Sequence, residues 1–222
     1  MKVLIVLAHP ESKSFNGAMF QTAIDTFKDS GHDVQYSDLH TMRFDPASDR
    51  RNFTFVKDPD YFKQQLEEMY ATEVGGFIPE IEAEIQKLEW CDLMIWQFPL
   101  WWFSVPAILK GWVDRVFVMG RVYGNGHIYE KGRFRGKQAM LSLTTGSTEE
   151  NYLAGGFNGD IHAILRPIQR GMLQFVGFDV LAPQIVYAPV RQTDAVRQRI
   201  LNDFSQRLRT IERELPIAVG QY

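Results

Sequence analysis

The chain has 222 residues and a formal net charge of −3, which sets one large domain over 1–222 and excludes a broad electrostatic grip on nucleic acid. A single Cys91 excludes an intramolecular disulfide framework and any multi-cysteine metal site, and it fits a reducing cytoplasm. The hydrophobic share is 45% and the charged share 23%, ordinary for a soluble globular protein, and no apolar run approaches the ~20 residues of a membrane span.

The N-terminal MKVLIVLAHP is too short an apolar run for a signal peptide. Val3 to Ala8 reads instead as a strand covered on both faces. The pattern predicts a helix over about Asn16 to Ser30, closed by Gly31, and a second strand over Val34 to Leu39. Residues 40–60 are polar and rich in turn formers, and loops of that length are uncommon unless functional. Helices are expected at about 60–73 and 79–90, a third strand over Asp92 to Phe98, and an amphipathic helix over Ala107 to Met119. A fourth strand follows over Gln138 to Thr145, then a helix over about 160–176, a fifth strand over Val180 to Tyr187, and a last helix at about 193–214. Five such units with mostly continuous apolar strands give the α/β class, a doubly wound, five-stranded parallel sheet with helices on both faces. Sheets of this kind bind ligands beyond the carboxyl ends of their strands.

Three strand-end loops carry candidate chemistry. In the first, AHPESKSFNGA (8–18), Ser12, Ser14 and Asn16 are N-cap residue types. Two readings stand: simple capping, or an anion such as a diphosphate at the helix N-terminus with His9 as a further donor. The loop is neither GxGxxG nor GxxxxGK[ST], which disfavours a plain Rossmann or P-loop site. The second loop, QFPLWWFSVPAILKGW (97–112), places Trp101, Trp102 and Phe103 directly after a strand. Those rings either pack into a core or subunit interface or stack on a planar heterocycle, and their place at a carboxyl edge favours stacking. In the third, Thr144, Thr145, Gly146 and Ser147 offer the mix of donors and acceptors that a flavin edge requires, while 148–158 alone reads as a polar surface loop. The five His residues are scattered and HExxH and GxSxG are absent, so no metal site is expected.

Taken in order, four segments resemble the NAD(P)H:quinone oxidoreductase (DT-diaphorase) family of flavodoxin-like flavoproteins. They are LIVLAHPESKSFNGAM (4–19), QFPLWWFSVPAILKGWVDRVF (97–117), YEKGRFRGKQAMLSLTTG (129–146) and NGDIHAILRPIQRGMLQFVGF (158–178). The resemblance implies a flavodoxin-like fold, bound FAD rather than FMN, and a homodimer with two active sites at its interface. It implies a ping-pong cycle in which NAD(P)H and a quinone use one pocket alternately and two electrons pass as a hydride. Azo dyes and nitroaromatics are acceptors for some members. Another branch, resembling this chain too, serves as a regulatory subunit docked on glutathione-gated potassium-efflux transporters.

By that resemblance His9, Ser14, Phe15, Asn16 and Ala18 surround the diphosphate, and Pro99, Leu100, Trp101, Trp102 and Phe103 run along the isoalloxazine. Thr144, Thr145, Gly146 and Ser147 cover its polar edge, and Arg197 and Leu201 lie near the adenine. Tyr152 matches a tyrosine assisting hydride transfer; Tyr123 and Phe175 match aromatics that the second subunit adds to the substrate pocket beside Trp102 and Phe103. Departures are Trp101 for a Gln, Ser147 for a Gly, Lys63 for a Gln that crosses the interface, and Asn125 for a second pocket tyrosine. Asn158 replaces the histidine paired with the catalytic tyrosine, and His162 would share a helical face with it if the helix began before 158. The chain ends at Tyr222, short of the C-terminal extension of longer animal members.

Overall fold

A computed structural model describes residues 1–220; the terminal Tyr222 lies outside them. Among the described residues six α-helices and six strand segments follow one another: β1 Lys2–Leu7, α1 Phe15–Asp29, β2 Asp33–Asp38, α2 Gln64–Val74, α3 Pro79–Trp90 and β3 Leu93–Pro99. They continue with α4 Ala107–Val116, β4 Gln138–Thr145, α5 Ile161–Ile168, β5 Asp179–Val180, β6 Gln184–Tyr187 and α6 Asp194–Leu208. The sheet order is β2-β1-β3-β4-β5, with β6 also pairing β4, and every pairing is parallel.

Strand pleating explains the continuous apolar runs. Val3, Ile5 and Leu7 of β1 pack with Phe27 of α1 and Phe204 and Leu208 of α6 on one face. Leu4, Val6 and Ala8 alternate onto the opposite face, against Ile85 of α3, Trp112 of α4 and Leu165 of α5. Burying such a side chain contributes about 1.5–3 kcal/mol, so both faces of the central strands must be covered.

The expected fifth strand is broken. Residues 181–183 separate β5 from β6, because Pro183 has no N–H to give to a ladder. The two pieces nevertheless occupy one position beside β4, in register with its two ends. The helix expected at about 60–73 starts at Gln64, since Asp58 Oδ1 accepts from the Asp60 and Tyr61 N–H groups and holds a turn before it. Helix α4 stops at Val116, short of Met119. Beyond α5 the backbone passes into a π-helical stretch, Gln169–Gln174, just after Pro167 interrupts the normal bonding.

The long 40–60 segment is fastened to α4. A Cβ on Gly111 would lie 2.3 Å from the Pro46 carbonyl oxygen, so only glycine permits that approach. Arg115, 2% exposed, donates to Asn52 Oδ1 and to the Asp45 carbonyl, both at 2.6 Å, and its guanidinium lies 5.1 Å from the Phe44 ring. Cys91 is also buried, and burial pushes its thiol up to about 12, which makes it unreactive.

Arg115→Leu should therefore lower the urea unfolding free energy by about 2–4 kcal/mol, because a buried and a half-buried acceptor lose their donor. A change within about 0.5 kcal/mol, the usual scatter for surface changes, would show that this anchor is not what holds the loop.

Candidate active site

The carboxyl edge of the sheet is built around the start of α1. Ser14 is the N-cap, its Oγ accepting from the Gly17 N–H at 3.1 Å. A Cβ on Gly17 would fall 2.0 Å from the Ser12 carbonyl oxygen, so the entry loop folds back on the helix only with glycine there. Asn16 is not a cap. Its Nδ2 donates to Thr144 Oγ1 at 2.9 Å and its Oδ1 accepts from Gln97 Nε2 at 2.8 Å. Asn16, Gln97 and Thr144 are all buried, so this network ties α1 to the ends of β3 and β4. Gln97 was not legible as a site residue within an apolar strand.

His9 Nδ1 lies 3.0 Å from the Glu11 N–H and 3.1 Å from the Glu11 carbonyl oxygen, the first contact suiting the tautomer with its proton on Nε2 and the second the tautomer with its proton on Nδ1. Burial, foremost, pulls its pKa below the usual imidazole value, so the ring is a neutral donor. A cleft of about 610 Å³ opens here, lined by His9, Ser14, Phe15, Asn16, Ala18, Pro99, Thr144, Arg197 and Leu201. All nine are sequence candidates, contributed by four distant stretches of chain. Lys13, Pro189, Val190, Asp194 and Gln198 also line it, and these carried no sequence signal. Arg197 already donates to the Pro189 carbonyl at 3.2 Å and the Gln192 carbonyl at 2.7 Å, and pairs with Asp194. It shapes the cleft wall by holding the 189–194 turn.

Leu100 continues from this cleft, its N–H donating to the Thr144 carbonyl at 2.8 Å. Trp101 and Ser104 then exchange backbone bonds of 3.2 and 3.0 Å, closing a two-residue turn with Trp102 at φ 52° and Phe103 at φ 58°. Positive φ at both central positions is the type I′ pattern that normally selects Asn and Gly. Two bulky aromatics in left-handed backbone cost about 1–3 kcal/mol each. The turn presents Trp102 at 94% exposure, with Trp101 and Phe103 half-exposed; the Trp101 ring lies 6.2 Å from that of His9. The cluster thus packs into no core within the protomer.

Next to it, Thr145 Oγ1 donates to the Ser147 carbonyl at 2.7 Å and Asn151 Nδ2 to Ser147 Oγ at 2.8 Å, while Gly146 has open space where a side chain would be. Tyr152 is buried at the end of a 3₁₀ turn, Glu149–Tyr152. Burial raises its pKa above the usual phenol value, with the Asn158 side chain as the smaller, opposing influence. His162 does not replace it: α5 begins at Ile161, so Asn158 lies outside the helix, and His162 is exposed.

Tyr123 and Phe175 come together, ring centroids 5.8 Å apart, in a different cleft of about 210 Å³ that Glu68 and Met172 also line. Asn125 is exposed at φ 53°, and Lys63 is exposed with its ammonium 5.4 Å from the Tyr61 ring. Within one protomer, the large cleft's lining does not include these substrate-pocket candidates.

Comparison with known proteins adds an independent line. The family model described as "Flavodoxin-like fold" matches residues 1–208. The chain is 44% identical to rat NAD(P)H dehydrogenase [quinone] 1 over 217 residues, covering 97% of this chain and 79% of that one. It is likewise 44% identical over 217 residues to human ribosyldihydronicotinamide dehydrogenase [quinone], covering 97% and 94% respectively. A crystal structure of a candidate quinone reductase from Klebsiella pneumoniae superimposes with a TM-score of 0.94 at 40% identity, over 98% of this chain and 87% of that one. The glutathione-regulated potassium-efflux ancillary protein of an Enterobacter species is a partial and more distant match, 33% identical over 58% of this chain and 70% of that one. With the fold, the strand-end loops and these relatives in agreement, the chain belongs to the NAD(P)H:quinone oxidoreductase family of flavodoxin-like proteins.

Proposed function

We propose that this protein is an FAD-dependent NAD(P)H:quinone oxidoreductase, working by ping-pong two-electron hydride transfer. The observation that carries the reading is the cleft of about 610 Å³ running from the α1 N-terminus to Leu201 on α6, beside an exposed aromatic turn. That volume suits a bound cofactor. Its far wall, on α6, is what favours FAD over FMN: the shorter flavin has no group for the Arg197 and Leu201 end. The transporter-docking reading has only the partial relative behind it.

A bound flavin supplies reversible acceptance of a hydride from the reduced nicotinamide and its delivery to a quinone. His9, as its Nε2–H tautomer, and the free N–H groups at the α1 start would hold its diphosphate. Trp102 and Phe103 would flank the ring and exclude water, with Trp101 between them and His9. Thr144, Thr145, Gly146 and Ser147 would meet the ring's polar edge with hydroxyl and backbone groups. Tyr152 keeps its proton at neutral pH, so its O–H is available to a site of developing negative charge, where such donors act most strongly. Asn158 would meet the phenol with an amide, which does not titrate.

In this reading Tyr123, Asn125 and Phe175 complete the substrate pocket of a second subunit in a homodimer, with Asn125 making it wider and more polar than a tyrosine would. A cytoplasmic location belongs to the same proposal, since reduced nicotinamide nucleotides are held there; no helix among the described residues is long and apolar enough to cross a membrane.

Purified yellow protein should bleach anaerobically with a reduced nicotinamide from a panel of NADH, NADPH and ribosyldihydronicotinamide, and recolour with benzoquinone. Heat should release FAD, and sedimentation at micromolar concentration should show a dimer. Stoichiometric FMN, or a fully active monomer, would contradict the corresponding part of the proposal.

The His9 geometry gives a pH dependence. Its pKa is depressed in the free protein, and a bound diphosphate would raise it. Flavin affinity is then strongest at low pH and falls as pH rises through the bound-state value, by at most about tenfold per pH unit for one proton. Calorimetric titration over about pH 5–8 should show this slope, and His9→Gln should flatten it. An equal slope in the variant would remove His9 from the diphosphate.

Tyr152→Phe should slow flavin reduction roughly 10- to 100-fold in stopped flow, with no rate-controlling titration from position 158 and none lost in His162→Ala. A titration that His162→Ala abolishes would restore a histidine partner to the mechanism.

A further inference from the structure

The geometry points to Tyr187 as the positioning residue for Tyr152, a ring fixed by the sheet against which the phenol is set. The inference rests on Tyr152 acting as the hydrogen-bond donor described above, and it deepens that reading.

Tyr152 stands on a short 3₁₀ turn inside the loop that follows β4, its buried ring joining the core cluster that also holds Ile161 and Leu165. The nearby fastenings are the Asn151 bond to Ser147 and the Asn158 N–H bond to the Asn151 carbonyl, both 2.8 Å, and the Thr145 Oγ1 bond to the Ser147 carbonyl at 2.7 Å. The first two lie within the loop, and the third reaches only the last residue of β4. Tyr187, in contrast, is the last residue of β6 and pairs in register with Thr145, the last residue of β4. The next N–H, from Ala188, donates to the Thr145 carbonyl at 3.0 Å. The Tyr187 ring lies against that of Tyr152 with centroids 6.0 Å apart and planes tilted by 38°, within the centroid distances at which aromatic pairs attract.

The backbone past Tyr187 supports a placement maintained at a cost. Ala188 has φ 44°, a left-handed non-glycine conformation that is destabilising by about 1–3 kcal/mol. That bend ends the strand immediately after Tyr187 and turns Pro189 and Val190 into the wall of the large cleft. One kink thus sets both the ring beside Tyr152 and the wall of the cleft.

The electrostatic surroundings favour protonated phenols. Burial foremost, then Glu149, Tyr152 and Asp160, push the Tyr187 pKa up, and Glu150 and Asp203 line the groove that Tyr187 shares with Glu149. With no cationic side chain lining that groove, Tyr187 contributes its ring and its bulk, not a proton. A phenylalanine can do the same work; an aliphatic side chain leaves one face of Tyr152 open to water and to rotation.

The test compares Tyr187→Phe and Tyr187→Leu in the flavin-loaded protein, with Tyr187→Val, suited to a strand end, as the replacement if the leucine variant does not fold. The Tyr152 titration is followed by NMR of ¹³Cζ-labelled tyrosine, its signal assigned by its loss in Tyr152→Phe. In Tyr187→Leu the midpoint should fall toward the ordinary phenol value, and the limiting rate of reduction per bound flavin should fall about tenfold, as misplacement of a reacting group does. The dissociation constant of the reduced nicotinamide should stay within about twofold in both variants, and Tyr187→Phe should keep the parent's midpoint and rate. An unchanged midpoint and rate in the aliphatic variant, with Tyr152→Phe slow, would overturn the positioning role alone. Tyr152→Phe reacting at the parent's rate would overturn the donor reading and this inference together.

Discussion

Asn16 donates to Thr144 and accepts from Gln97 at a depth where none of the three side chains can turn to water instead. A buried polar group left without its partner costs about 1–3 kcal/mol, so the network has one satisfied arrangement. In that arrangement the N-terminus of α1 faces the ends of β3 and β4, and the cleft lies between them. The cap at Ser14, the glycine at 17 and the turn at 101–104 all depend on where this contact places the helix. The parallel sheet brings those strand ends together; the amide network fixes them in angle and height.

Strain gathers around the same edge. Trp102, Phe103 and Ala188 adopt left-handed backbone without being glycine, and Trp102 is almost wholly in water. Neither feature helps the protomer fold. Both become intelligible if the rings are presented to a planar ligand, because a preformed aromatic surface loses little conformational freedom when something stacks on it. The cost is borne by the two well-filled cores on either face of the sheet, one of which takes in Leu100 and Tyr152.

Much of this was legible in the sequence. Continuous apolar strands imply the parallel sheet, and the carboxyl ends of those strands point to the three loops, which the structure brings to one edge. Nine cleft residues were named from those loops and from the last helix. The failures are local. Asn16 looks like a cap because capping side chains and buried amides share a residue type, and only the tertiary partner Gln97 separates them. The break at 181–183 was written in Pro183 yet masked by the apolar residues around it. Tyr187 gave no signal, since a tyrosine closing a strand is commonplace and its meaning lies in a ring contact with residue 152, 35 positions away in the numbering. Tyr123 and Phe175 are paired with each other but lie apart from the large cleft, a separation that sequence spacing does not reveal.

A flavin in the carboxyl-edge cleft would have its diphosphate at the start of α1 and its ring at the aromatic turn. A crystal structure of the protein grown with FAD should show the diphosphate within hydrogen-bond reach of His9 and the α1 N-terminus, the ring against Trp102 and Phe103, and the adenine end toward Leu201. Flavin density elsewhere on the molecule, or a cleft that stays empty at saturating FAD, would contradict this placement.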